Sequence, residues 1–164
     1  MKKTKTLVIT SLLIAITIIL ARFLAINTSF VRISLEFLPI ALSAILSGPI
    51  IGGITGAIAD IIGATLFPTG TFFPGFTFSA FLAGIFYGIF LYKKKLTIIR
   101  IIITVVVKVI VVDLILVTLW LVLLYKLPLE ALIVARLIKS SLIIPIEVSM
   151  IYFIIRPIKK HQKF

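Results

Sequence analysis

Six apolar runs, separated by short polar or basic stretches, constrain this chain more than any other feature. The sequence has 164 residues, of which 62% are hydrophobic, and a soluble domain of that size cannot bury so much apolar surface. Since about 20 apolar residues cross a bilayer as a helix, we predict an all-α integral membrane protein, a compact bundle of six transmembrane helices. The predicted helices are Leu7–Ile26, Leu35–Ser47, Ile50–Leu66, Phe76–Tyr92, Arg100–Tyr125 and Leu129–Ile155.

Basic residues cluster where the apolar runs end. The formal net charge is +12, with clusters at Lys2–Lys5, Lys93–Lys95 and Arg156–Lys163. Six helices place both termini on one side of the lipid bilayer, and the positive-inside rule makes that side cytoplasmic. Scattered clusters without aromatic interleaving argue against a nucleic-acid partner. We therefore predict one multi-pass membrane domain over residues 1–164.

The third predicted helix carries a stripe of small residues with a carboxylate at its edge. In an α-helix, all members of the stripe lie within about a quarter turn of one another. Small residues let helices pack closely in a membrane, and a carboxylate at that depth is costly unless it has a role. We expect the carboxylate to face a polar cavity; the alternative is helix packing alone, with the acid paired to a lysine. The stripe consists of Gly52, Gly56, Ala59, Asp60 and Gly63.

The fifth predicted helix contains two ionisable residues, Lys108 and Asp113. In an α-helix they are about 140° apart, so we predict that they do not share a face and that one reaches another helix. The alternative for Lys108 is that its side chain extends along the helix and places the ammonium at the membrane surface. Trp120 lies on the Asp113 face, and an interfacial tryptophan is the alternative there.

The sixth predicted helix aligns Arg136, Ser140 and Glu147 within about 40°, with Lys139 one step to the side. A polar stripe of this length has little reason to face lipid, so we expect it to face the bundle interior. In the bundle interior this polar stripe is expected either to line a cavity or to form an internal salt-bridge network.

Two outer connections contribute further candidates, namely Asn27, Arg32 and the aromatic residues Phe72, Phe73 and Phe76. Glycines and prolines give the connection at residues 67–75 a turn-rich course. Such a loop is suited to capping a cavity, although an ordinary interfacial loop has the same composition.

Enzyme signatures are missing from the sequence. It has no G-x-x-x-x-G-K-[ST] phosphate loop, no H-E-x-x-H and no G-x-S-x-G, and it lacks cysteine. The single histidine, His161, lies in the basic tail. We predict that the chain is not an enzyme, does not hydrolyse ATP and holds no metal or cofactor. If it moves a substrate uphill, another subunit must supply the energy. There are two alternatives. One is a small membrane enzyme that uses Asp60 and Glu147 as acid and base, and the other is an assembly subunit without a ligand.

Three segments of the first half of the chain form distinctive motifs, namely L-x-F-L-P-I at Leu35–Ile40, G-P-x-x-G-G-x-x-G-x-x-x-D-x-x-G at Gly48–Gly63, and F-P-x-G-x-x-F-P-G-F-T-x-S-A-F at Phe67–Phe81. In this order they resemble the folate-type substrate-binding S component of energy-coupling factor (ECF) vitamin transporters. The chain length, the six predicted helices and the basic cytoplasmic side are also similar to this family.

The resemblance implies a vitamin-binding subunit in the plasma membrane of a prokaryote. Such a subunit binds its vitamin from the outer side and associates with a transmembrane scaffold subunit and two cytoplasmic ATPases. The family's A-x-x-x-A scaffold-contact motif corresponds to Ser11 and Ala15, with serine in the first position.

The chemistry of a folate assigns expected roles to the candidate residues. The pterin edge presents adjacent N–H donors that suit a carboxylate of Asp60, Asp113 or Glu147, and its flat ring suits aromatic residues such as Phe73 and Phe76. The glutamate tail carries two carboxylates that suit Arg22, Arg32, Arg136 or Lys139. Asn27 completes the expected binding set. Another vitamin, such as riboflavin, thiamine or a related heterocycle, remains the alternative ligand.

Overall fold

The structure is a computed structural model that describes residues 2–27, 32–68, 71–126, 128–155 and 157–158. Within these ranges, the side chains of Lys2, Lys3, Asn27 and Arg32 lie outside the description.

Six helices form within the described residues, which confirms the predicted all-α architecture. Five of them are long and apolar enough to cross a membrane, whereas Phe37–Ser47 is shorter, at 11 residues. Two of the long helices contain π-helical segments, at Val109–Leu116 and Ile151–Ile155. The helices are α1 (Lys2–Arg22), α2 (Phe37–Ser47), α3 (Pro49–Leu66), α4 (Pro74–Leu91), α5 (Ile98–Tyr125) and α6 (Leu129–Ile155).

The first helix ends earlier than predicted. α1 stops at Arg22 rather than at Ile26, and a short antiparallel hairpin of β1 (Ile26–Asn27) and β2 (Arg32–Ile33) follows. Apolar composition does not distinguish helical from extended residues, and pairing of Ile26 with Ile33 keeps this segment out of the helix. α1 also begins earlier than predicted, at Lys2 rather than at Leu7, whereas both ends of each of the other five helices lie within two residues of the predicted ones.

Glycines bring the backbones of α3 and α4 into direct contact. A Cβ added to Gly84 would collide with the backbone of Gly52, one added to Gly56 would meet the Ala80 carbonyl, and one added to Gly88 would meet Pro49. The same three contacts show that α3 and α4 run antiparallel. Close approach of small residues is the usual basis of helix association in a membrane. The predicted small-residue stripe of α3 therefore packs against α4.

The two ends of the bundle differ in how they are filled. The end that contains Gly48 and residues 92–97 holds a continuous apolar core, in which Tyr87, Leu91, Ile101 and Ile151 are fully buried. The opposite end carries the β1–β2 hairpin and the connection from α3 to α4.

Replacement of Gly84 by alanine should weaken the α3–α4 contact, because the new methyl group has only backbone atoms to displace. Overpacking of this kind costs about 1–3 kcal/mol, and we expect a lower Tm for Gly84→Ala in detergent. Ile89→Val, on a half-exposed side chain of the same helix, serves as the control. An unchanged Tm for Gly84→Ala would contradict the packing.

Candidate functional site

All six helices line one cavity of about 700 Å³ at the end of the bundle opposite the apolar core. This volume lies within the roughly 300–1,000 Å³ typical of small-molecule sites. Four cationic and four acidic side chains reach its wall, together with aromatic residues from α4. The charged residues are Arg22, Lys108, Arg136, Lys139, Glu36, Asp60, Asp113 and Glu147.

The deepest polar cluster is organised around Lys108. Its Nζ lies 2.7 Å from Glu147 Oε1 and 3.1 Å from Asp113 Oδ2. Tyr87 donates its hydroxyl hydrogen to Glu147 Oε2 at 2.8 Å, and the Lys108 ammonium lies 5.7 Å from the centroid of the Tyr87 ring. Glu147 is only 1% exposed, and a carboxylate buried to that degree requires a cation and hydrogen-bond donors. The cluster supplies both.

The predicted separation of Lys108 and Asp113 is wrong. The two residues belong to one helix and still form an ion pair, because the segment between them is π-helical. In a π-helix the hydrogen bonds run from residue i to i+5, and each turn takes in about one residue more than the ~3.6 of an α-helix. Residues five apart therefore come to lie on the same face.

A cationic wall formed by α6 lies beside this cluster. Arg136 is 6% exposed and donates from Nη1 to the backbone carbonyl of Asp113 at 2.7 Å. Its Nε is buried and has no hydrogen-bond partner within the described part of the chain. Lys139, one position to the side, lines the cavity and makes no ion pair or hydrogen bond with the described residues. These groups can offer hydrogen bonds to an anionic ligand.

A second carboxylate, that of Asp60, lies on the α3 side of the cavity. Thr77 donates its hydroxyl hydrogen to Asp60 Oδ2 at 2.7 Å, and Arg22 Nη2 lies 3.8 Å from Asp60 Oδ1. Gly63 makes room for the Arg22 guanidinium, since a Cβ there would lie 2.7 Å from Arg22 Nε. The α3 stripe therefore packs closely and also places an acid at a cavity, and the basic partner of that acid is Arg22 rather than a lysine.

Aromatic rings form the wall next to Asp60. Phe73 lies 5.9 Å from Phe76 and 5.6 Å from Trp120, measured between ring centroids. Trp120 donates its indole N–H to Ser79 Oγ at 3.1 Å, which ties α5 to α4. Phe72 also reaches the cavity. Flat apolar surfaces at this position can stack against a planar ligand.

The structure brings most of the predicted binding residues together, but not all of them. Arg22, Asp60, Phe73, Phe76, Asp113, Arg136, Lys139 and Glu147 line the cavity. Asn27 and Arg32 face each other in the β1–β2 pair, and their side chains lie outside the described residues. Ser11 and Ala15 are exposed along α1, away from the cavity.

The predicted binding set omitted several residues in or beside the cavity, among them Glu36, Thr77, Tyr87 and Lys108. Thr77 donates a hydrogen bond to the cavity residue Asp60, and the other three residues line the cavity directly. The sequence signal for Tyr87 was a hydroxyl group in the middle of an apolar helix. The signal for Lys108 was a charged side chain about two turns inside another apolar helix. Neither position shows by itself which helix supplies the partner.

Removing Lys108 should destabilise the ligand-free protein strongly, because Glu147 and Asp113 lose their shared cation. Breaking one side of a buried ion pair costs about 3–5 kcal/mol. We expect Lys108→Met to lower the Tm in detergent more than Glu147→Gln, since the amide oxygen can still accept from Tyr87. The double variant should be more stable than Lys108→Met alone; additive losses would show that the two groups do not interact.

Comparison with known proteins places this chain in a known family. The family described as "ECF transporter, substrate-specific component" matches residues 5–156. The folate transporter FolT of Clostridium novyi (strain NT) is 38% identical over 152 residues, which are 93% of this chain and 88% of that protein. The folate transporter FolT of Leuconostoc mesenteroides subsp. mesenteroides is 31% identical over 158 residues, 93% of this chain and 85% of that protein.

A solved structure shows the same similarity in three dimensions. A crystal structure of FolT bound with folic acid superimposes with a TM-score of 0.87 at 41% sequence identity. The match covers 92% of each chain.

Proposed function

Since the chain belongs to the substrate-specific components of ECF transporters, we propose that its cavity binds folate for ATP-driven uptake by partner subunits. The family membership confirms the resemblance described above. The chain is a multi-pass membrane component of a transporter and not an enzyme.

The observation that carries the folate assignment is the arrangement of the cavity wall in a chain similar to folate transporters. Aromatic rings and Asp60 lie on one side, and Arg136 and Lys139 lie on the other, beside Lys108 and the two acids with which it pairs. A folate has a flat ring with adjacent N–H donors at one end and a glutamate with two carboxylates at the other. The two sides of the cavity complement these two ends.

Within this proposal the pterin ring lies against Phe73 and Phe76. Thr77, the residue after Phe76, donates a hydrogen bond to the Asp60 carboxylate and so keeps it next to these rings. Asp60 then accepts from the N–H groups of the ring. Lys108 already engages Asp113 and Glu147 at short distances, which favours Asp60 among the three acids.

The glutamate tail then extends toward α6. Arg136 Nε and the Lys139 ammonium are the donors that the cavity offers there. Arg22, Asn27 and Arg32 come from the end of α1 and from the hairpin that follows it. They remain proposed contacts at the mouth of the cavity.

The proposal extends to orientation and partners. With the basic ends of the chain in the cytoplasm, the cavity opens toward the outer side of the membrane. Ser11 and Ala15 are exposed on α1, as contact with a transmembrane scaffold subunit requires. The scaffold and two ATPase subunits then supply the energy for transport.

Titration of purified protein with folic acid tests the two ends of the cavity separately. We expect Asp60→Asn and Arg136→Ala each to raise the Kd by at least about tenfold, or ~1.4 kcal/mol, because each removes a charge-assisted hydrogen bond. Ile61→Val and Leu137→Ala, at exposed neighbouring positions, should leave the Kd near its wild-type value. If neither cavity variant weakens binding, these roles are wrong.

Thermal-shift measurements with several vitamins test the ligand class. A ligand that binds only the folded state raises its stability by RT ln(1 + [L]/Kd), about 2.7 kcal/mol at 100 times Kd. We expect folic acid to raise the Tm, and riboflavin and thiamine to leave it unchanged. Mass spectrometry of molecules that co-purify with the protein is an independent check, and recovery of a non-pterin vitamin would overturn the folate assignment.

A further inference from the structure

The middle of α5 is wound as a π-helix over eight residues, Val109–Leu116. At its end the Val117 N–H bonds to the Val112 carbonyl, five residues back. In an α-helix that N–H would bond to the Asp113 carbonyl, four residues back. π-Helical turns are rare, and they occur frequently at functional sites.

The π register has one consequence for the side chain of Asp113. It places the carboxylate on the face of Lys108, whose ammonium it meets at 3.1 Å. The same ammonium reaches Glu147 of α6 at 2.7 Å. An α-helical register would turn Asp113 about 140° away from Lys108 and leave Lys108 with Glu147 alone.

The register has a second consequence for the backbone of Asp113. Its carbonyl, relieved of the α-helical donor, accepts a hydrogen bond from Arg136 Nη1 at 2.7 Å. This bond orients a guanidinium that is 6% exposed and whose Nε has no partner within the described residues. Asp113 therefore holds two cations of the cavity wall, one through its side chain and one through its main chain.

We propose that Asp113 is a positioning residue, and that the π-helical register of Val109–Leu116 holds Lys108 and Arg136 in place for the anionic end of the ligand. Asp113 acts through these two cations rather than by touching the ligand. The ligand in question is the folate of the proposed function, on which this inference rests.

Two single-residue deletions separate the direction of the Asp113 side chain from the other effects of removing the π-helical winding. Ile110 and Ile115 are both exposed isoleucines inside the π segment, and deletion of either lets the segment close as an α-helix. Deletion of Ile110 leaves Asp113 four residues after Lys108, about 40° apart on the same face. Deletion of Ile115 leaves them five apart, about 140° from each other. The two variants thus have the same composition and differ in the direction of Asp113.

The first readout is the affinity for folic acid and for pterin, which keeps the fused ring but carries no carboxylate. We expect deletion of Ile115 to raise the Kd for folic acid at least about tenfold and to change that for pterin little. Deletion of Ile110 keeps Asp113 beside Lys108 but returns the Asp113 carbonyl to its α-helical donor, so we expect a smaller loss of folic acid affinity than after deletion of Ile115. Equal losses for both ligands in both variants would reduce the π segment to a structural role and overturn the proposal.

The second readout needs no ligand. The coupling between Lys108→Met and Asp113→Asn, measured from Tm values in a double-mutant cycle, should be present in the wild-type background and after deletion of Ile110. It should vanish after deletion of Ile115. Absence of coupling in the wild-type background overturns the proposal even if a deletion variant does not fold.

The two readouts also keep this inference apart from the folate assignment. Failure of the wild-type protein to bind folic acid, together with intact coupling, would reject the folate assignment and leave the register intact. Binding without coupling would reject the register alone.

Discussion

A carboxylate buried in an apolar helix bundle constrains the arrangement of everything around it. Glu147 of α6 is almost fully buried and is accommodated by Lys108 of α5 and Tyr87 of α4. Because leaving such a charge without a partner is costly, these three helices must meet at one depth. Below this level the bundle is a packed apolar core, and above it the helices enclose the cavity.

The other side of the cavity depends on glycine rather than on charge. Close contact of Gly52 with Gly84 and of Gly56 with Ala80 draws α3 against α4, so that Thr77 can reach Asp60. The glycine contacts continue up to Gly63, where the missing side chain makes room for the Arg22 guanidinium. One stripe of α3 therefore serves packing along most of its length and the binding cavity near its end.

Much of this site could be predicted from the sequence because a polar residue deep in an apolar run has few alternatives to the bundle interior. Asp60, Arg136 and Glu147 are examples, and all three line the cavity. The partners were less accessible to prediction. Lys108 and Asp113 lie on different faces in an α-helix, and their pairing depends on a π turn that no local residue pattern indicated. Apolar composition likewise did not reveal that α1 gives way to a hairpin after Arg22.

The sequence by itself determined the membrane-embedded helices, the depth of the ionisable residues and the family resemblance, because hydrophobicity, charge and motif spacing are properties of short segments. Only the tertiary structure decided which charges meet, how α5 is wound between Lys108 and Asp113, and how the Arg136 guanidinium is turned. The reason is physical. A buried charge is stabilised by groups from other helices, and a helix changes its winding where such a contact compensates for less regular backbone hydrogen bonds.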